Sequence, residues 1–316
     1  MRDQAGSKPI LLVALGGNAL IRKGQVGTIK QQFENLKLPV RQIAHLSKDY
    51  KIIITHGNGP QVGNLLMQQE CCDAVPKMPL EILGAQTEGQ IGYMIESTLD
   101  GQLMALGINS KSLVTLITYV VVDQNDPAFK HPTKPIGPGY TKEKAAELGC
   151  PVMETSRGYR RVVASPLPLA IIEKKEIEKL IGMDFIVICC GGGGIPVIRK
   201  GRAFSGVNAV IDKDLASALL AAETGVDIFI MATDVEGVML NFGKKDQTFC
   251  QSLTLEEAEC YLRQGQFAAG SMGPKVKAAV QFMKNSGKRA VICSINNLEA
   301  AVKGNAGTKF EINDAG

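Results

Sequence analysis

The sequence has no tryptophan, only three histidines and an aromatic content of 5%. With few aromatics, no long basic run and a net charge of only +4, it lacks the electrostatic footprint of a nucleic-acid-binding protein. None of His45, His56 and His131 has a second histidine or a cysteine at ligand spacing, which argues against a structural zinc site. The eight cysteines contain no CxxC pair. Cys71 and Cys72, like Cys189 and Cys190, are adjacent, and several lie in apolar runs, the pattern of reduced cytosolic thiols. The first nine residues are polar and lack a signal-peptide core, and the apolar runs 10–15 and 113–122 are too short or interrupted to span a bilayer. The expectation is a soluble cytoplasmic protein with no nucleic-acid or membrane partner.

Several catalytic signatures are missing too. The absence of GxxxxGK[ST] excludes a P-loop enzyme, so any phosphate site must be built otherwise. Ser271, within 269–273, has the small neighbours of a nucleophile elbow. No histidine follows residue 131, however, so the usual Ser, Asp, His order cannot be completed. Gly57 and Gly59 begin a dinucleotide fingerprint, but Gly63 comes one residue late and Pro60 occupies the turn. Hydrolase and dehydrogenase chemistry are thereby set aside.

What is present is an α/β rhythm. At 316 residues and 45% hydrophobic, the chain can bury a large core as one α/β unit or two domains. The run ILLVAL (10–15) reads as a buried parallel strand ending in Gly16, Gly17 and Asn18. A helix over 28–48 leads to a strand at 51–55 and then to His56, Gly57, Asn58, Gly59 and Pro60. Further helices are expected over 60–74 and 81–106, the latter burying Leu83, Thr87, Ile91 and Met94, and a strand over 113–122. From Asp123 to Pro168 the chain holds seven of its fourteen prolines, together with Lys130, Lys134, Lys142, Lys144, Arg157, Arg160 and Arg161. So long an excursion fits a small subdomain or lid better than a linker. The rhythm resumes with a helix near 173–181 and a strand at 184–190 that runs into four glycines, Gly191 to Gly194. A second such strand, 227–232, ends at Asp234 and Val235. Open α/β sheets bind ligands at these strand ends.

Two helix starts carry lysine where the helix dipole disfavours it. In GVNAVIDKDLASALLA (206–221), Asp212 is a candidate cap, Lys213 and Asp214 open the helix, and Leu215, Ala218, Leu219 and Ala222 form a buried face. In GSMGPKVKAAVQFM (270–283), Pro274 suits the first helical position and Lys275 follows it. One such lysine could simply reach solvent; two suggest a shared anion, with phosphate the obvious one. Lys134, in the stiff TKPIGP turn, could reach back over the same site. A clamp of lysines, backbone N–H groups and magnesium suits phosphoryl transfer, whose transition state is chiefly spread negative charge. Since adjacent residues on a helix do not face each other, Asp214 is expected mainly to orient Lys275, with contact to both lysines left open.

With these residues assembled, the chain resembles the amino-acid kinase family, and within it the carbamate kinase group, over nearly its full length. The segments ALGGNAL, HGNGPQVG, DPAFKHPTKPIGP, GGGGIPV, GVNAVIDKDLASALLA, ATDVEGV and GSMGPKVKAA occur in the family's order, and only the polar residues 1–7 look like an addition. The resemblance implies an open, mainly parallel eight-stranded sheet sandwiched by helices. It implies an acceptor lobe (1–205) with a protruding lid subdomain (123–168), and a nucleotide lobe (206–316). It further implies transfer between ATP and carbamate, giving ADP and carbamoyl phosphate, with magnesium held mainly through the nucleotide phosphates, in an enzyme that makes ATP during arginine breakdown. By the same resemblance Gly16, Gly17, Asn18, Gly57 and Asn58 hold the acceptor and transferring group while Lys134 closes over it. Lys213 and Lys275 bind the phosphates, Asp214 organises them, and Asp234, Val235, Met272 and Pro274 lie near the nucleoside. A homodimer is implied as well, with the 81–106 helix as its candidate contributor.

Overall fold

The computed structural model describes residues 8–22, 24–155, 158–268 and 270–311. Residues 1–7, Arg157 and Ala269, which figure in the sequence reading above, lie outside the described residues. The first third alternates β1 (Ile10–Leu15), α1 (Ile29–Leu46), β2 (Lys51–His56), α2 (Gly59–Glu70), α3 (Leu80–Ala105) and β3 (Leu113–Thr115). The middle carries β4 (Tyr119–Val121), β5 (Lys134–Tyr140), α4 (Lys142–Glu147), β6 (Val152–Thr155), β7 (Gly158–Val163) and β8 (Ala170–Ile171). Next come α5 (Lys174–Gly182), β9 (Ile186–Ile188), β10 (Ile195–Lys200), β11 (Ala203–Gly206), α6 (Lys213–Glu223) and β12 (Ile228–Thr233). The chain ends with β13 (Val238–Leu240), β14 (Thr248–Cys250), β15 (Ser252–Thr254), α7 (Leu255–Arg263), α8 (Met272–Ser286), β16 (Arg289–Ser294), α9 (Leu298–Val302) and β17 (Thr308–Glu311).

Eight strands form one sheet in the order β15-β17-β16-β12-β1-β2-β9-β3, in which only the β16 and β17 pair is antiparallel. Its central strands are apolar on both faces because helices cover both. Leu12, Ile53, Phe229 and Ile292 point toward α5, α6, α7 and α8, whereas Leu11, Ile54, Ile230 and Val291 point toward α1, α3 and α9. This is the expected sandwich. Helix starts are written into the sequence: Thr28 and Gln31 form a capping box on α1, Thr254 and Glu257 one on α7, each worth about 1 kcal/mol.

The structure departs from the sequence reading in three places. The 113–122 run is two strands, since β3 stays in the main sheet while β4 joins a separate sheet, β11-β10-β4-β8. Between them the Thr118 N–H leaves the ladder and donates to the buried Glu88 carboxyl at 3.0 Å. The 184–190 strand is clipped to β9 because Asp184 and Cys190 adopt left-handed backbone, φ 65° and 49°. Finally, α8 starts at Met272, so Pro274 is its third residue rather than its first. The helix loses nothing by this, because the first four N–H groups have no partner within it.

The proline-rich excursion contains a three-stranded sheet, β5-β7-β6, that rests on α2. The seat is a glycine pair: a Cβ on Gly63 would overlap the backbone of Gly137, whose φ of +70° also favours glycine. Arg161 and Glu70 add an ion pair across this seam.

Candidate active site

Four neighbouring parallel strands of the main sheet end side by side, and each releases a polar or glycine-rich loop. In sheet order these are Asp234 and Val235 after β12, Gly16 to Asn18 after β1, Gly57 and Asn58 after β2, and Cys190 to Gly194 after β9. Lys213 stands over the two central loops. A Cβ on Gly57 would lie 3.4 Å from the Gly17 nitrogen and 3.4 Å from Lys213 Cδ, so the glycine leaves room for the lysine stem. The Gly16 N–H donates to Ala232 O at 3.1 Å and the Gly57 N–H to Leu15 O at 3.0 Å. These two backbone donors serve the sheet, and the glycines shape the pocket rather than filling it with N–H groups. Asn58 is 7% exposed and its amide donates to Thr87 Oγ1 at 2.8 Å, making it a fixed wall.

Three lysines from three distant segments meet two aspartates. Asp212 caps α6, its Oδ1 accepting the N–H groups of Asp214 (2.9 Å) and Leu215 (3.3 Å), while its Oδ2 receives Lys134 from β5. Asp214 bridges the other two, with Oδ1 on Lys213 and Oδ2 on Lys275 Nζ at 2.8 Å. The structure thus decides the question left open: Asp214 holds both lysines. Lys213 is the first helical residue, and its long side chain folds back onto its neighbour although their Cβ atoms diverge. With three ammonium groups against two carboxylates, the cluster keeps one positive charge.

Burial sets the electrostatics. It pulls Lys213 down to about 8, which the Asp214 carboxylate partly resists and the Lys275 charge reinforces. Burial also lowers Lys275, but Asp214 more than offsets it and the net shift is upward. For Asp214 burial acts upward, and the two lysines overcome it, holding the carboxyl well below the usual range. Close by, burial drives His56 down to about 4, so the imidazole is neutral near pH 7. A charged half and an uncharged half therefore share one cleft.

Asp234 is exposed at the end of β12, accepts a hydrogen bond from Thr233 Oγ1 at 3.2 Å and acts electrostatically on Lys275. Val235 follows it, half-buried, and Met272 and Pro274 are half-buried in the first turn of α8, the turn that delivers Lys275. Every candidate site residue named from the sequence lies on the strand-end loops or on β5, α6 and α8, the segments joined by this ion-pair network or lining it. The sequence reading gave no site role to Thr87 or His56, did not single out Glu88, and used Asp212 only as a cap. One signal was available for the acid: Glu88 is placed at helical spacing from Ile91, on the face expected to be buried.

A model of the amino acid kinase family matches residues 9–294. The carbamate kinase of Thermococcus kodakarensis is 46% identical over 95% of this chain and 98% of that protein. Two solved structures of carbamate kinase from Giardia lamblia superpose closely. The form bound to citric acid has a TM-score of 0.91 at 37% identity, covering 97% of this chain and 99% of that one. The form bound to AMP-PNP has a TM-score of 0.89 at 39% identity with the same coverage.

Proposed function

The chain belongs to the amino acid kinase family and, within it, to the carbamate kinases, and from that premise we propose that it transfers phosphoryl groups reversibly between ATP and carbamate through its lysine cluster. The observation that carries this reading is Asp214 bridging Lys213 and Lys275 beside an uncharged, glycine-shaped pocket. Carbamate is already an anionic oxygen nucleophile. Its oxygen bonds to the γ-phosphorus as the bond from that phosphorus to the bridging oxygen breaks, and that oxygen leaves with ADP. No general base is needed, and the nearby His56 is buried with Nδ1 bonded to the Gly57 carbonyl. Lys213, Lys275 and, from the lid, Lys134 counter the charge spread over the phosphoryl oxygens.

In this reading residues 1–205 bind the acceptor, with 123–168 as the lid, and 206–316 bind the nucleotide. Gly16, Gly17, Asn18, Gly57 and Asn58 bound the acceptor and transferring group, and Asp234, Val235, Met272 and Pro274 border the nucleoside. Magnesium fits this site as a passenger on the nucleotide. Among the described residues no three His, Cys, Asp or Glu side chains converge to cage a metal, and Asp212 and Asp214 are engaged by lysines. When bound, the ion neutralises charge between neighbouring phosphates. The ATP-forming direction would serve arginine catabolism in the cytoplasm; no described helix is long and apolar enough to cross a membrane, and all eight cysteines are free. Ile82 and Tyr93, large apolar side chains exposed on α3, support a homodimer through that helix, a state that sedimentation would read directly.

The test is a coupled assay with purified protein. Carbamoyl phosphate and ADP should yield ATP, and acetylglutamate with ATP should yield nothing. Turnover of acetylglutamate, or nucleotide binding without turnover of either acceptor, would overturn the assignment.

A further inference from the structure

Behind the acceptor loops lies a buried acid that the lysine chemistry does not use. Glu88, on α3, is 1% exposed. One carboxyl oxygen, Oε2, accepts the Thr118 N–H at 3.0 Å, and Oε1 is buried with no hydrogen-bond partner. The Thr118 bend is joined to the Cys190–Gly194 turn by the Cys190 N–H, which donates to Thr118 Oγ1 at 3.0 Å. The turn so held is strained. Cys190, Gly192, Gly193 and Gly194 all have positive φ, and each of its glycines abuts another segment, Gly194 meeting Val120 of β4. A Cβ on Gly191 would lie 2.5 Å from His56 Nε2 and 3.0 Å from Glu88 Cγ. On Gly192 it would overlap the Asn58 amide, and on Gly193 it would come 2.5 Å from the Ile211 carbonyl, next to the Asp212 cap. Thr87, beside Glu88 on the same helix, holds Asn58 directly.

We infer that Glu88 is a positioning residue of the acceptor pocket: its carboxyl group holds the bend at Thr118, that bend takes the Cys190 N–H of the Cys190–Gly194 turn, and the turn in its place packs against His56 and Asn58. The inference deepens the function proposed above and rests on it, since it takes the Asn58 wall to face the acceptor. Burial raises the Glu88 carboxyl well above the usual range, the Thr118 N–H opposes this, and the neighbouring Glu173 adds to it. What the position uses is side-chain shape and an acceptor oxygen for the Thr118 N–H. Glutamine has the same length and keeps one such oxygen.

The experiment compares Glu88→Gln with Glu88→Leu, after confirming by melting that both fold. In the leucine variant the KM for carbamoyl phosphate should rise roughly tenfold while the KM for ADP stays within about twofold, because a displaced wall misaligns only the acceptor. Glutamine should restore the KM for carbamoyl phosphate to within about threefold of wild type. A second readout needs no turnover. The chain has three histidines, so the His56 ring proton can be followed by NMR; it should shift in Glu88→Leu and stay in Glu88→Gln. If the leucine variant does not fold, Glu88→Asp, one methylene too short to reach the Thr118 N–H, should show the same KM rise and NMR shift. An unchanged KM and resonance in the folded variant, equal damage from glutamine, or parallel rises in both KM values would overturn the inference. Inactive wild-type protein would count instead against the proposed function, and the His56 resonance would still decide the positioning role.

Discussion

The two halves of the cleft sit on the same edge of the same sheet yet are built by opposite means. The half around α6 and α8 is charged: Lys213 and Lys275 share one buried carboxylate, and Lys134 reaches Asp212 from β5. The half around β2 and β9 carries a neutral His56, a carboxyl group pushed toward its acid form and glycines pressed against their neighbours. Under the proposed function the difference follows from what each half would hold. Phosphates bring concentrated negative charge that only cations and dipoles can offset, whereas a small planar anion is selected by volume and alignment. Substitutions in the charged half should therefore lower kcat, and those in the neutral half should raise the KM of the acceptor.

The largest effect should come from Lys213→Met, which lowers kcat by roughly 100-fold or more with the fold intact, as when an oxyanion donor is lost. Near-normal turnover in that folded variant would erase the distinction between the halves. Gly191→Ala should next raise the KM for carbamoyl phosphate by about tenfold with little change in that for ADP, since its Cβ would press on His56. A fall in kcat alone would place Gly191 with the lysines instead. Raising the pH should sharpen the contrast further. Lys213 loses its proton as the pH passes about 8, so kcat/KM should fall above that value by up to about tenfold per unit. Stability should move the other way. An unfolded lysine stays protonated to 10.5, so between about 8 and 10.5 the unfolded state binds more protons and the Lys213 contribution to stability rises with pH. A pH–rate profile beside pH-dependent melting would reveal both signs. The smallest effect should be that of Lys134→Ala, a severalfold loss of kcat, because this side chain remains about a third exposed and solvent screens it. A loss as large as that of Lys213→Met would mean that the lid lysine shares the central burden.

Much of this architecture was legible from local patterns. The continuous apolar runs marked strands buried on both faces, and the glycines after ILLVAL, after 51–55 and after 184–190 marked the ends where the cleft opens. Lys213 and Lys275 stood out because each contradicts its own helix dipole. Less visible was whatever depends on two segments meeting. The 113–122 run reads as one strand until Glu88, 30 residues away from Thr118, takes an N–H from its ladder. The Asp214 bridge was equally hidden, because sequence spacing argues against an adjacent pair and says nothing of a lysine 61 residues downstream.

The sequence by itself determined the sheet, its helical cover, the capped helix starts and the candidate residues at the strand ends and helix starts, because periodicity, caps and glycine positions express local physics. Only the tertiary structure decided that Lys134, Lys213 and Lys275 form one network through Asp212 and Asp214, that the Gly16 and Gly57 N–H groups belong to the sheet, and that the buried Glu88 takes an N–H from the bend at Thr118. Charge–charge energies and burial depend on distances in space, and those distances exist only once the strands have aligned their ends.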